Sequence, residues 1–219
     1  MGEKAEGVKR ITVNTNQLSP RKLTEQEEFW LNEFGEEYTE RNENEDRNNM
    51  AFWKQIMPYK VGSILELGAN RGSNLKALRK LNPQADITAV EINPLACDKL
   101  RGLGAITVHQ ESIFDFKVKR TYELVFTKGV LIHINPGMLK SVYSKMHYAA
   151  EKYIVIAEYY NPTPATVEYR GHHNKLFKRD FAGEMLDMFP DLSMVGYGFW
   201  YHRDAYPQDD INYFILRKS

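Results

Sequence analysis

Ile64-Leu65-Glu66-Leu67-Gly68-Ala69-Asn70-Arg71-Gly72 is the stretch whose reading decides the fold. Residues 63–67 form a short apolar run of the kind buried inside a parallel sheet. The glycines that follow let the chain turn sharply and bring bare backbone against a ligand. Asn70 stands where glycine is common, and asparagine tolerates a left-handed backbone. Leu75, Leu78 and Leu81 then recur at helical spacing until Asn82-Pro83 stops the helix. Strand, turn and helix are therefore predicted over residues 63–81. A second apolar run, residues 87–90, closes on Glu91, placed to accept hydrogen bonds from both hydroxyls of a ribose.

This turn does not suit a dinucleotide. The pattern Gly-x-Gly-x-x-Gly needs glycine where Asn70 and Ser73 stand, and Glu66 would repel a pyrophosphate. A carboxylate there suits a cation instead, such as a sulfonium or an amino group. The residues together describe a pocket for an adenosyl group without phosphates.

At 219 residues the chain is one domain of ordinary size, large enough for a real core. Its 29 basic and 29 acidic residues cancel, so no global field draws it toward nucleic acid or an acidic membrane. No apolar run approaches membrane-spanning length, and the amino terminus lacks a signal-peptide core, so a soluble, cytoplasmic protein is expected. Gly2 is not a myristoylation signal, because Glu6 occupies the serine or threonine position. Cys97, the single cysteine, is expected in the core or on the surface rather than in redox chemistry. His172-His173 invites a metal, but neighbouring side chains point apart and no partner stands at ligand spacing; no metal is expected.

Along the chain, residues 1–22 read as a flexible tail, 23–60 as a helical cap segment and 61–219 as the main α/β domain. The cap carries Phe29, Trp30, Phe34 and Tyr38 on one stripe of an acidic helix within residues 24–49, followed by a short helix ending at Pro58. Strands are predicted at 63–67, 87–91, 105–108, 122–126 and 153–158, with helices at 73–81, 94–103 and 136–149 between them. That alternation argues for a Rossmann-like, mostly parallel sheet covered on both faces. A helix at 180–189 and two runs, 194–200 and 212–216, complete it as an antiparallel pair at the sheet edge.

Residues 64–72 and 87–91 resemble the first two motifs of the class I S-adenosylmethionine (SAM) methyltransferases. Glu28-Phe29-Trp30, Phe34-Gly35 through Tyr38, Arg41-Asn42, residues 129–136, 157–164, 169–171 and 176–185 together resemble a subgroup, the pseudaminic acid biosynthesis-associated methylases. The likeness runs from about residue 27 to the carboxyl end. It implies a class I methyltransferase sheet, SAM as cofactor with S-adenosylhomocysteine as product, and methylation at oxygen or nitrogen of a small anionic acceptor related to nonulosonic sugars. Another metabolite, an amino acid, a peptide group, or a binding protein that has lost transfer are the alternatives.

The resemblance also assigns residues. Glu66, Gly68, Asn70 and Gly72 would lie under the methionine and ribose, Glu91 on the ribose, and Ile92 on one adenine face. Ser112 stands where the family pattern has an acid facing the adenine amino group, so Ser112 and the Ile113 backbone become the expected contact. Lys128 either meets the methionine carboxylate or lies on a solvated loop. Tyr38 and Arg41 would come down near the methionine end if the aromatic helix is a cap; otherwise that helix simply docks on the sheet.

A hydroxyl acceptor needs a base for its proton. His133, after the fourth strand, and Glu158, at the tip of the fifth, are the candidates; each could instead hold a loop or orient an amine. Tyr159, Tyr160 and Asn161 sit beside Glu158. Tyr169, Arg170, His172, Lys178 and Arg179 form a basic-aromatic concentration that would pair with an anionic acceptor, or with Asp180, Asp187 and the acidic helix. Oligomeric state and the atom methylated stay open.

Overall fold

The computed structural model describes residues 21–41, 46–57 and 60–219. The expected tail up to residue 20, Asn42 and the Pro58 helix stop lie outside the described residues.

The buried run at Ser63–Leu67 is strand β1, and residues Ser73–Leu81 form helix α4 after it, both with the predicted bounds. Strands β2 (Asp86–Glu91), β3 (Ile106–Gln110), β4 (Tyr122–Lys128) and β5 (Ala150–Glu158) pair with β1 and one another in parallel. Strands β8 (Leu192–Trp200) and β9 (Ile211–Lys218) form the expected antiparallel edge, and the sheet order is β3-β2-β1-β4-β5-β9-β8. The order reverses between β1 and β4, which opens a crevice at their carboxyl ends.

Both faces of the sheet are covered. On one, α4 and helix α3 (Asp46–Ile56) bury Phe52, Trp53, Leu75 and Leu78 against Ile64 and Phe126. On the other, helices α6 (Leu139–Ala149) and α7 (Phe181–Met188) pack Val142, Met146, Phe181 and Met185 against Leu65, Val125 and Ile154. Helix α5 (Pro94–Gly102) follows β2, its first turn capped by the Asn93 side chain, which accepts a hydrogen bond from the Ala96 amide at 3.1 Å. No described helix is long and apolar enough to cross a membrane.

Two expectations are corrected. The aromatic stripe does not lie on one helix: it is split between α1 (Glu25–Leu31) and α2 (Glu33–Arg41). Asn32 between them has φ −100° and ψ −157°, an extended backbone that stops the first helix. The rings still meet, because the break folds α2 back on α1. Phe29 stacks on Phe34 with centroids 4.1 Å apart, and Trp30 meets Tyr38 at 5.2 Å. Residues 159–178, to which the sequence reading assigned no strand, contain a two-stranded hairpin of β6 (Ala165–Tyr169) and β7 (His172–Lys178). Its turn places Arg170 at φ +52° and Gly171 at +82°, the left-handed pair that suits a two-residue hairpin loop.

Gly72, at φ +81°, ends the turn before α4, and a Cβ there would lie 2.6 Å from Leu100 Cδ2 and 2.7 Å from Leu103 Cδ1. Backbone strain and overpacking therefore act together. Gly72→Ala is expected to destabilise the fold by about 1–3 kcal/mol in urea unfolding; unchanged stability would show that the turn is not fixed as described.

Candidate functional site

A cavity opens beyond the carboxyl ends of β1, β2 and β4 and is roofed by α1 and α2. Its floor is the turn after β1, where Gly68 (φ +75°) and Asn70 (φ +44°) are both left-handed. The Gly68 and Ala69 amides donate to the Val90 carbonyl at 2.8 and 3.1 Å, locking the turn to β2. Gly68 is needed because a Cβ would lie 2.7 Å from the Val130 side chain.

Glu91 stands at the rim. One carboxylate oxygen accepts from the Asn70 amide at 2.7 Å, and the other from the Asn93 amide at 2.8 Å. Burial raises its pKa, and the backbone hydrogen bonds oppose that rise.

Glu66 does not line the cavity with it. The side chain is only 1 % exposed and sits beneath the floor, outside the cavity lining. One oxygen accepts from Asn74 Nδ2 at 2.8 Å, and Trp53 Nε1 donates to Asn74 Oδ1 at 3.1 Å, which fixes the amide's orientation. The other Glu66 oxygen has no hydrogen-bond partner among the described residues. Burial pushes the Glu66 carboxyl up to about 8, against the pull of Asn74 and the Lys128 charge. Asn74, which sequence reasoning missed, is the residue that faces the cavity in front of it. Gly72 likewise shapes the turn without lining the cavity.

At the β3 end, Ser112 occupies the position where an acid was expected, and a carboxylate reaches it from elsewhere. Ser112 Oγ donates to Glu27 on α1. Arg21 grips the same carboxylate with two nitrogens, at 2.8 and 2.5 Å, and the Thr24 amide donates to it at 2.8 Å. Burial alone would raise the Glu27 pKa, but the hydrogen bonds from Arg21, Ser112 and Thr24 outweigh it and hold the group at about 2. Sequence reasoning missed Glu27; the Thr24-x-x-Glu27 spacing of a capping box was a signal for the helix start, but nothing local signals its meeting with Ser112.

Ile92, Ser112, Ile113, Lys128 and Tyr38 all line the cavity, as does Asn70. The Thr39 hydroxyl lies 2.9 Å from Asn70 Oδ1, and Arg71 donates to the Thr39 carbonyl at 3.2 Å, so α2 is seated on the floor turn. Arg41 is corrected: its guanidinium turns outward to Glu37 at 3.5 Å and over the Phe34 ring, outside the lining.

His133 lies in a tight turn, Leu131–His133, after β4 and lines the cavity while only 7 % exposed. Its Nδ1 is 2.5 Å from the Lys175 carbonyl oxygen. Its ring lies 4.7 Å from Trp30 and 4.9 Å from Tyr169. Burial lowers its pKa to about 4, against the Lys175 hydrogen bond. Glu158 is buried under the same turn and accepts from the amides of Val130, Leu131 and Ile132 at 3.0–3.4 Å. It holds the turn and lies outside the cavity lining, although burial pushes its carboxyl up to about 7.

The predicted acceptor residues do not converge. Tyr159, Tyr160, Asn161, Tyr169, Arg170, His172, Lys178 and Arg179 are all outside the lining of this cavity. Arg179 is committed to Glu184 at 2.6 Å, Lys178 lies over the Tyr159 ring at 5.2 Å, and Asn161 turns back to the Thr163 carbonyl at 2.5 Å. Arg170 lies over the Tyr169 ring, and Tyr160 faces a shallow groove beside α7 and β8. Of these eight, Tyr169 and His172 join the aromatic cluster of the cap, Tyr169 against Phe34 and Trp30 and His172 against Phe29 and Phe34.

This fold recurs in solved methyltransferases. The 1,6-didemethyltoxoflavin-N1-methyltransferase of Burkholderia thailandensis, crystallised with 1,6-didemethyltoxoflavin and S-adenosylhomocysteine, is 13% identical, with TM-score 0.67 over 89% of this chain and 87% of its own. Coclaurine N-methyltransferase, bound to N-methylheliamine and S-adenosylhomocysteine, is 10% identical with TM-score 0.62, over 79% and 72% of the two chains. The plantazolicin methyltransferase BpumL, also with S-adenosylhomocysteine, is 12% identical with TM-score 0.62, over 89% and 94%. The fold is that of the class I SAM-dependent methyltransferases. No protein-family model and no curated protein sequence matches the chain, so the pseudaminic acid-associated subgroup stays an expectation.

The Glu66 shift has a measurable sign. An ordinary glutamate titrates near 4.5 and this one near 8, so folding favours its protonated form. Its contribution is fully present below pH 4.5 and is lost as pH rises through 8. The stability of Glu66→Gln relative to the unmodified protein should therefore climb between about pH 4.5 and 8 in urea unfolding; a difference independent of pH would contradict the burial of a carboxyl with one orphaned oxygen.

Proposed function

We propose that the protein is a SAM-dependent methyltransferase acting in the cytoplasm on a small acceptor that presents an O–H or N–H group. The observation that carries this reading is Glu91, a rim carboxylate held by two backbone amides beside a floor turn of bare, left-handed backbone. Such a carboxylate suits ribose hydroxyls and disfavours a phosphate. The orphaned oxygen of Glu66 behind Asn74 fits the same group, because a cation above the floor would offset its burial.

In this reading Ile92, Ser112 and Ile113 hold the adenine end, with Glu27 closing it from the cap. Gly68, Asn70, Tyr38 and Lys128 hold the methionine end. When bound, SAM supplies an already activated methyl carbon, which leaves the chain to align the acceptor and receive its proton. His133 is suited to that. A carbonyl oxygen only accepts, so Nδ1 donates to Lys175 and Nε2 carries the free lone pair. With its pKa near 4, the imidazole stays neutral through the physiological range. Glu158 acts by holding the turn that carries His133.

The finer expectation, an anionic acceptor related to nonulosonic sugars, rests on the sequence resemblance. Arg71 lines the cavity and would serve such an acceptor, whereas Arg170, Lys178 and Arg179 lie outside the lining.

Incubation with methyl-labelled SAM and a panel of nucleotide-linked nonulosonic acids, amino acids and peptides should reveal one product carrying the label. With that acceptor, His133→Ala should lower kcat by about 10²–10⁴-fold. The kcat/KM profile should stay flat down to about pH 5, with an acid limb near 4 where His133 protonates. Undiminished turnover in His133→Ala would remove the base assignment.

A further inference from the structure

We propose that Lys175 is a positioning residue that couples seating of the α1 cap helix to the orientation of His133; this rests on the reading of His133 as the proton acceptor. The two ends of Lys175 serve different elements. Its carbonyl oxygen, on β7, receives the Nδ1 hydrogen of His133 at 2.5 Å, and so selects the tautomer that leaves Nε2 unprotonated. Its side chain runs to α1. The residue is only 6 % exposed, and its ammonium meets the Glu25 carboxylate, the Glu25 carbonyl at 3.3 Å and the face of Phe29 at 5.2 Å.

A buried ammonium is costly unless it is paired, and these three partners all belong to one helix. When α1 is seated, Lys175 is held, and so is the carbonyl that grips the imidazole. A second bond ties the same strand to the same helix: Gln26 Nε2 donates to the Asn174 carbonyl at 3.0 Å. Asn174 itself is left-handed at φ +56°, which bends β7 immediately before Lys175. From the other side α1 lays Trp30 against the His133 ring, 4.7 Å between centroids. The imidazole is thus located between a ring of α1 and a carbonyl anchored to α1. If the cap lifts, Lys175 loses every one of these partners and Nδ1 loses a fixed acceptor.

The test uses the full chain labelled with ¹⁵N. Imidazole spectra of the unmodified protein should show His133 as a single tautomer, protonated at Nδ1. In Lys175→Met the two tautomers should mix, and kcat should fall about tenfold or more while SAM affinity from calorimetry stays within about twofold. Lys175→Arg, which keeps the charge, should recover most of both signals. A pure Nδ1–H tautomer with undiminished kcat in Lys175→Met would overturn the proposal, as would a loss of SAM affinity parallel to the loss of kcat. Should Lys175→Met not fold, Glu25→Ala removes the exposed partner instead; mixing of the tautomers then supports the coupling, and an unchanged spectrum overturns it. If the unmodified protein binds no SAM, the methyltransferase reading fails, while the tautomer comparison still decides the coupling.

Discussion

The Glu91 carboxylate accepts one backbone hydrogen from Asn70 and one from Asn93, and these two bonds join the loop after β1 to the start of α5. Hydrogen bonds to a charged group contribute about 1.5–3 kcal/mol each, and without them a buried carboxylate would be strongly unfavourable. Asn70 reaches Glu91 because its backbone is left-handed. The same two asparagines then carry the cap. Asn70 meets Thr39 of α2, and Asn93 Nδ2 donates to the Trp30 carbonyl of α1 at 3.1 Å. The roof of the cavity is thus fastened to the residues that orient its rim.

Burial and pairing divide the acids of the site into two kinds. Glu27 is ionised because Arg21 and its hydrogen-bond donors outweigh its desolvation. Glu66 and Glu158 lean toward the protonated form because nothing of comparable strength offsets theirs. His133 is neutral for the same reason, being wrapped in Trp30, Tyr169 and the β7 backbone. One end of the cavity therefore closes on an ion pair, and the other is aromatic around a neutral imidazole.

The parallel strands were legible because both faces are covered, which leaves continuous apolar runs such as Ile64-Leu65 and Ile154-Val155-Ile156. The first turn was legible because glycine and asparagine mark left-handed backbone. The position of Glu66 was not, since proximity to the turn in sequence does not say toward which side of the floor the carboxylate points. Ser112 and Glu27 lie 85 residues apart, and no local pattern links them. The basic-aromatic stretch misled for a related reason. Composition gathers Arg170, Lys178 and Arg179 together, but the hairpin gives each a different partner. The break at Asn32 escaped because the aromatic spacing continues smoothly across it.

The central claim is that Glu91 and the left-handed floor turn form an adenosyl pocket. Calorimetric titration of the unmodified protein and Glu91→Ala, with SAM and separately with a nicotinamide dinucleotide, tests it most directly. The account predicts saturable SAM binding weakened at least about tenfold, or 1.4 kcal/mol, by Glu91→Ala, and no binding of the dinucleotide. SAM binding that ignores the substitution, or a dinucleotide bound in its place, would contradict it.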